Sequence, residues 1–176
     1  MRRLAIAALP LVATSVAAQE APVPPGYGLP PSDRPLTKVG DALPGFSLFD
    51  LHDRQARLQD VKEPVVVIVL WAFWCDTWIA ALPQLRELAA EQGALDFRLV
   101  AVSVDGAWSD QLNVVCGEEE LPFPVLIDRG SRLCRQLGLR RIPTVIIADQ
   151  DRKITCIHEA YPGNPKVLEG IRGASR

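Results

Sequence analysis

Seven consecutive apolar residues, Val65-Val66-Val67-Ile68-Val69-Leu70-Trp71, leave this chain few folds to choose from. The run is too short to cross a membrane, and it has no polar face to turn toward water. Such a segment is expected to be a central strand covered on both sides, which requires helices above and below a sheet. The period then changes. Over residues 76–92, Ile79, Leu82, Leu85, Leu88 and Ala89 recur on one stripe of a helix.

The alternation continues along the chain. Residues 46–50 and 56–58 read as a short hairpin around the polar turn His52-Asp53-Arg54. Residues 97–104 form a second buried strand, and 109–119 a helix capped by Ser109. A short strand at 123–127 precedes a helix at 131–137 that Gly138 stops. Strands at 144–148 and 153–158 flank the turn at 149–152, and Asn164-Pro165 opens a last helix in cap-then-proline order. Strands separated by helices predict an α/β fold, a central mixed sheet flanked by helices with an N-terminal hairpin.

The N-terminus reads as an address. Arg2 and Arg3 precede the apolar residues 4–12, broken only by Pro10, and Val16-Ala17-Ala18 supplies small residues for cleavage. An amphipathic helix is the alternative, but the segment lacks a polar face. Residues 1–18 are therefore expected to be a signal peptide, with a periplasmic or secreted product. No Cys follows the apolar stretch, so a lipid-anchored form is not expected. Export would place the four Cys where disulfides persist. Residues 19–38 carry Pro22, Pro24, Pro25, Pro30, Pro31 and Pro35 and read as an extended, mobile leader, with the domain at 39–173. No integral membrane segment is expected after signal removal. The balance of 19 Lys+Arg against 21 Asp+Glu argues against a nucleic-acid partner. The two His, His52 and His158, have no partners at zinc spacing, so no metal and no cofactor are expected.

Cys75 carries the chemistry. It falls between the strongest strand and the amphipathic helix, where a thiol faces unpaired N–H groups and a partial positive charge, with Asp76 opposing. Trp71, Trp74 and Trp78 surround it in sequence and would make a flat apolar rim for an extended peptide. A buried, purely structural Cys is the alternative.

Trp71-Ala72-Phe73-Trp74-Cys75 resembles the Trp-Ala-x-Trp-Cys entry of thioredoxin-like proteins, with Pro83 matching the proline of their active-site helix. Ile142-Pro143-Thr144 resembles their cis-proline loop, in which the residue before the proline offers backbone groups to substrate. Val102-Ser103-Val104-Asp105, then Phe123-Pro124-Val125-Leu126-Ile127-Asp128, then Leu137-Gly138-Leu139 resemble the exported TlpA/ResA-type and redoxin branch. The likeness spans about residues 40–172. It implies a thioredoxin-like fold and attack by Cys75, with Trp74, Trp78, Ile142, Pro143 and Thr144 on the substrate side. The implied partners are a thiol- or disulfide-containing protein or small molecule and an external reductant.

The departures matter as much. The branch's second thiol would stand at position 78, which is Trp; its buried acids would stand at Val69 and Ala81. An ordinary dithiol cycle, in which a second thiol releases product, is therefore not expected. Cys116 lies ahead of Phe123-Pro124, where some peroxiredoxin Q-type enzymes carry a resolving Cys, although their Thr and Arg are replaced near Ala72 and Pro143. Copper delivery, known for relatives of the branch, also uses the missing second Cys. Two readings follow: an exported redoxin acting on thiols, disulfides or peroxides through Cys75, with Cys116 or a small external thiol closing the cycle; or a binding module without turnover. A buried or structural Cys116 is the alternative, and Cys134 with Cys156 would be a structural disulfide; four Cys allow three pairings, and the sequence does not choose.

Overall fold

The computed structural model describes Leu29 and residues 31–105 and 121–176. Among these, β3 (Val65–Trp71) is buried along its whole length, as seven apolar residues in a row require. It pairs parallel with β4 (Phe97–Ser103) and antiparallel with β6 (Thr144–Ala148). β5 (Val125–Ile127) lies parallel to β4, and the hairpin of β1 (Ser47–Asp50) and β2 (Gln55–Arg57) docks antiparallel on β5. β7 (Ile154–His158) closes the other edge, so the described strands run β2-β1-β5-β4-β3-β6-β7. The expected hairpin and mixed sheet are both present.

Side-chain alternation assigns the two faces. Register pairs Trp71 with Ser103, Ser103 with Ile127, and Ile127 with Phe49, so these four share one face. Trp78 on α1 (Asp76–Ala90) stacks on Trp71 with ring centroids 4.1 Å apart and planes 15° from parallel. Hence α1 covers that face, and a short turn α2 (Gln92–Leu95) follows it. α4 (Asn164–Ala174) joins α1 there: a Cβ on Gly170 would come within 2.6 Å of Ile147, the partner of Val67. Leu48 points the other way and shares a cavity with Leu133, which puts α3 (Arg132–Leu137) on the opposite face. Both layers that the buried strand demands are in place.

Several expectations are corrected. Ile79 is 49% exposed and Trp78 only 1%, so the buried stripe of α1 runs through Trp78, Leu82, Leu85 and Leu88. Large planar Trp78 displaces Ile79 because it finds a matching plane in Trp71. Asn164 is the first residue of α4 and not its cap, which is Gly163 at φ +85°. Its side chain instead accepts from the Tyr161 hydroxyl and donates to the Gln84 carbonyl, tying α4 to α1. The end of the leader is not free: Thr37 N–H donates to Leu137 O (3.0 Å), and the Ser32 hydroxyl to Arg135 O (3.1 Å). The helix expected at 109–119, with its Ser109 cap, lies outside the described residues.

Asp128, fully buried, organises the start of α3. Its two carboxylate oxygens accept the N–H groups of Leu133 (3.1 Å) and Cys134 (2.8 Å), replacing a conventional cap. At the other end Gly138 takes φ +60° beneath the docked leader.

Two stability predictions follow. Trp78→Ala removes one side of a buried stack and should cost about 3–5 kcal/mol in urea unfolding; a loss of peptide binding at unchanged stability would restore the exposed-rim reading. Gly138→Ala must hold a side chain at positive φ and 2.5 Å from Pro35 O. It should cost roughly 1 kcal/mol or more and speed proteolysis within residues 31–37.

Candidate active site

Cys75 is the N-cap of α1, with extended backbone (φ −95°, ψ 100°). Its own N–H donates to Ala72 O (3.1 Å), and its carbonyl accepts Trp78 N–H (3.0 Å), so the sulfur stands at the first turn of the helix. The side chain is 8% exposed. Sγ lies 3.0 Å from Thr77 Oγ1 and 3.8 Å from the carbonyl oxygen of Ile142. The Ile142–Pro143 peptide bond is cis. Residues 67 positions apart thus meet at one sulfur. Thr144 is buried, and its hydroxyl donates to Arg141 O (2.8 Å), which makes it a support of the loop and not a contact surface.

The three Trp do not form a rim. Trp71 and Trp78 are sealed in the core, Phe123 meets Trp78 edge-on at 6.5 Å, and only Trp74 is partly exposed. The place of a second thiol is thereby filled by a stacked indole. Val69 and Ala81, at the positions of the branch's acids, are buried as well.

An acid missed by sequence reasoning stands behind the loop. Asp105 Oδ2 accepts the Phe73 N–H (3.0 Å) and the Ser103 hydroxyl (2.7 Å), and the carboxyl also bonds the Trp74 side chain. The two residues preceding Cys75 are therefore held by one carboxyl. Burial pushes this acid above the usual carboxylate range against those hydrogen bonds, while Oδ1 has no partner among the described residues. The signal was a Ser-x-Asp ending an otherwise apolar strand.

Thr77 and Ile142, the two residues in contact with Sγ, also line a groove of about 430 Å³, together with Ala81 and Gln84 of α1, Arg141 and Pro143 of the loop, and Tyr161 before α4. Glu159, also on its wall, approaches Arg141 at 3.8 Å. Periodicity did not announce this groove, because its residues come from three separate segments.

The remaining Cys are elsewhere. Cys134 and Cys156 are free thiols on α3 and β7, and the faces assigned above put a sheet between them, so the expected staple is not formed. Burial and the neighbouring Asp128 carboxylate push the Cys134 thiol up to about 12. Cys156 pairs with Ile147 and faces α4, with its Sγ 3.1 Å from His158 Nε2, a contact the sequence reading did not anticipate. Burial holds the Cys156 thiol up and the His158 imidazole down, which keeps both neutral. Cys116 lies outside the described residues. Among the described residues no three His, Cys, Asp or Glu are grouped to hold a metal ion.

Known proteins are similar to this chain in sequence and fold. A thiol-disulfide oxidoreductase ResA from Bacillus thuringiensis (strain Al Hakam) is 27% identical over 123 residues, 70% of each chain. A crystal structure described as a putative thiol:disulfide interchange protein DsbE from Chlorobium tepidum superposes with a TM-score of 0.68 at 25% identity, covering 78% of this chain and 97% of that one. The pneumococcal exposed lipoprotein thioredoxin Etrx1 from Streptococcus pneumoniae gives 0.67 at 27% identity, covering 74% and 99%. The sequence pattern described as Redoxin matches residues 38–171. Because that match takes in every strand of the sheet and both sides of the Cys75–Ile142 contact, the chain belongs to the Redoxin family and is a thioredoxin-like protein of the TlpA/ResA type.

Proposed function

We propose that this protein is an exported thiol-disulfide redoxin in which Cys75 is the thiol that attacks the substrate. The contact of its sulfur with Thr77 and the Ile142 carbonyl, at the mouth of a groove, carries the reading. In the forward step the Cys75 thiolate attacks a substrate disulfide. A bond forms from Sγ to the nearer sulfur, the old S–S bond breaks, and the leaving thiolate takes a proton from water. The Thr77 hydroxyl is within reach to donate to the sulfur while it is charged. Ile142 O and the backbone beside it face a substrate segment next to the sulfur.

The return step needs a second thiol, and position 78 cannot supply it. Cys116 is the candidate the chain itself offers: its attack on the mixed disulfide would free the substrate thiol and leave a Cys75–Cys116 disulfide for an external reductant. The buried Trp78 favours a second reading, a module that captures thiol clients at Cys75 without turnover. Export is supported by the signal-like residues 1–18 and by the similarity to a lipoprotein described as exposed.

Reduction of insulin and consumption of hydrogen peroxide, followed for the wild type, Cys75→Ser and Cys116→Ser, separate these readings. Cys75→Ser should lower any turnover roughly a thousandfold or more. Turnover lost in Cys116→Ser, with adduct accumulating on Cys75, would assign the resolving step to Cys116; turnover that persists but requires added thiol would assign it outside the chain. Adducts without turnover in the wild type would leave the binding module, and a wild type whose Cys75 forms no adduct would end the redox assignment.

A further inference from the structure

The groove beside Cys75 carries more than a generic peptide contact. On α1 its lining includes Ala81, where the resembling branch carries a Glu, so no acid is contributed from that position. Its polar walls are Thr77, Gln84 and Tyr161, and its rim holds one cation and one anion. Arg141 and Glu159 are 73% and 43% exposed and come no closer than 3.8 Å, a weak pair in which each charge remains able to accept another partner. The volume of about 430 Å³ falls in the range of small-molecule sites.

We infer that the groove binds a small zwitterionic thiol or its disulfide, of the amino-acid type, and presents its sulfur to Cys75. The α-carboxylate would pair with Arg141, whose planar donors match it, and the ammonium with Glu159. Thr144 holds the Arg141 carbonyl, which fixes where that guanidinium starts from. The inference rests on Cys75 being the attacking thiol. With RSSR the step is an exchange: the Cys75 thiolate attacks RSSR, the Sγ–SR bond forms, the RS–SR bond breaks, and RS⁻ leaves and is protonated to RSH. In turnover the Cys75 thiolate attacks a client disulfide R′SSR′, forming Sγ–SR′ and releasing R′S⁻, which is protonated. RSH in the groove then attacks the R′ sulfur, which regenerates the Cys75 thiol and gives RSSR′, and a second RSH converts RSSR′ to RSSR and R′SH. The two RSH thus supply the two electrons that position 78 cannot.

The test measures second-order rates of Cys75 adduct formation on the full chain, located by peptide mass mapping. The probes are cystine, bis(2-hydroxyethyl) disulfide, cystamine, dithiodiglycolate and a disulfide of cysteine blocked at both termini. Each rate is divided by that of a free model thiol at the same pH. Cystine should exceed the neutral and blocked disulfides by about tenfold, a ratio that two charge-assisted contacts can supply. It should also exceed cystamine and dithiodiglycolate, whose charges are of one sign only, and the advantage should fall toward one in Arg141→Gln and in Glu159→Gln. Equal corrected rates for all probes, or a cystine advantage that survives both substitutions, would overturn the groove assignment while leaving Cys75 reactive. A blocked disulfide favoured over cystine would overturn it in favour of protein substrates. No adduct with any probe would instead sink the redox reading itself.

Discussion

The indole of Trp78 lies flat on that of Trp71, and this contact decides where the sulfur can be. Trp71 ends β3 and Trp78 belongs to the first turn of α1, so the stack locks the helix start to the strand end. The connecting residues have little freedom left, and Cys75 becomes the N-cap in consequence. The stack has a cost: Trp71 Nε1 is buried without a partner among the described residues, a loss of about 1–3 kcal/mol. Burial of two of the largest side chains in the molecule offsets it. It also closes the position from which a second thiol would act. One residue, Trp78, thus both pins the start of the helix and occupies the position where the resembling branch carries its second thiol.

Asp105 completes the support from the other side. A carboxyl that accepts from the Phe73 backbone and bonds the Trp74 side chain holds the loop just ahead of the sulfur. It is desolvated for this purpose, and its raised affinity for a proton is the physical trace of that burial. On the far face Asp128 does the analogous work for α3. Asp128 takes the place of a local cap, whereas Asp105 joins two segments distant in sequence.

How much was legible follows from the range of each signal. β3, α1, β6 and the Gly138 stop were readable because each depends on neighbours in sequence: an apolar run, a helical period, a residue that tolerates positive φ. Cys75 was readable from its place between strand and helix, but its meeting with the Ile142–Pro143 loop was readable only through a resemblance, since nothing local brings residues 75 and 142 together. Long-range complementarity was not legible. The choice of Trp78 over Ile79 for the core depends on the plane of Trp71, the tie from Asn164 to Gln84 on a helix distant in sequence, and the groove on three segments. The docking of residues 32–37 on α3 was missed for the same reason: proline-rich composition reports a lack of core-forming side chains, but backbone hydrogen bonds to exposed helix-end carbonyls need none.

Among the described residues two thiols, Cys75 and Cys134, are buried, and the difference between their surroundings is positional. Cys134 has its N–H committed to Asp128, whose charge and the surrounding core oppose a thiolate, so the sulfur has neither the charge state nor the access to react. Cys75 is buried laterally and not deeply. A hydroxyl stands on one side, a carbonyl on another, and the space next to both is an open groove. Under the proposed function, a reacting disulfide would approach through this groove, and the residues on its wall would then select the partner. Arg141 and Glu159 are the charged groups on that wall, and they flank the loop that faces the sulfur.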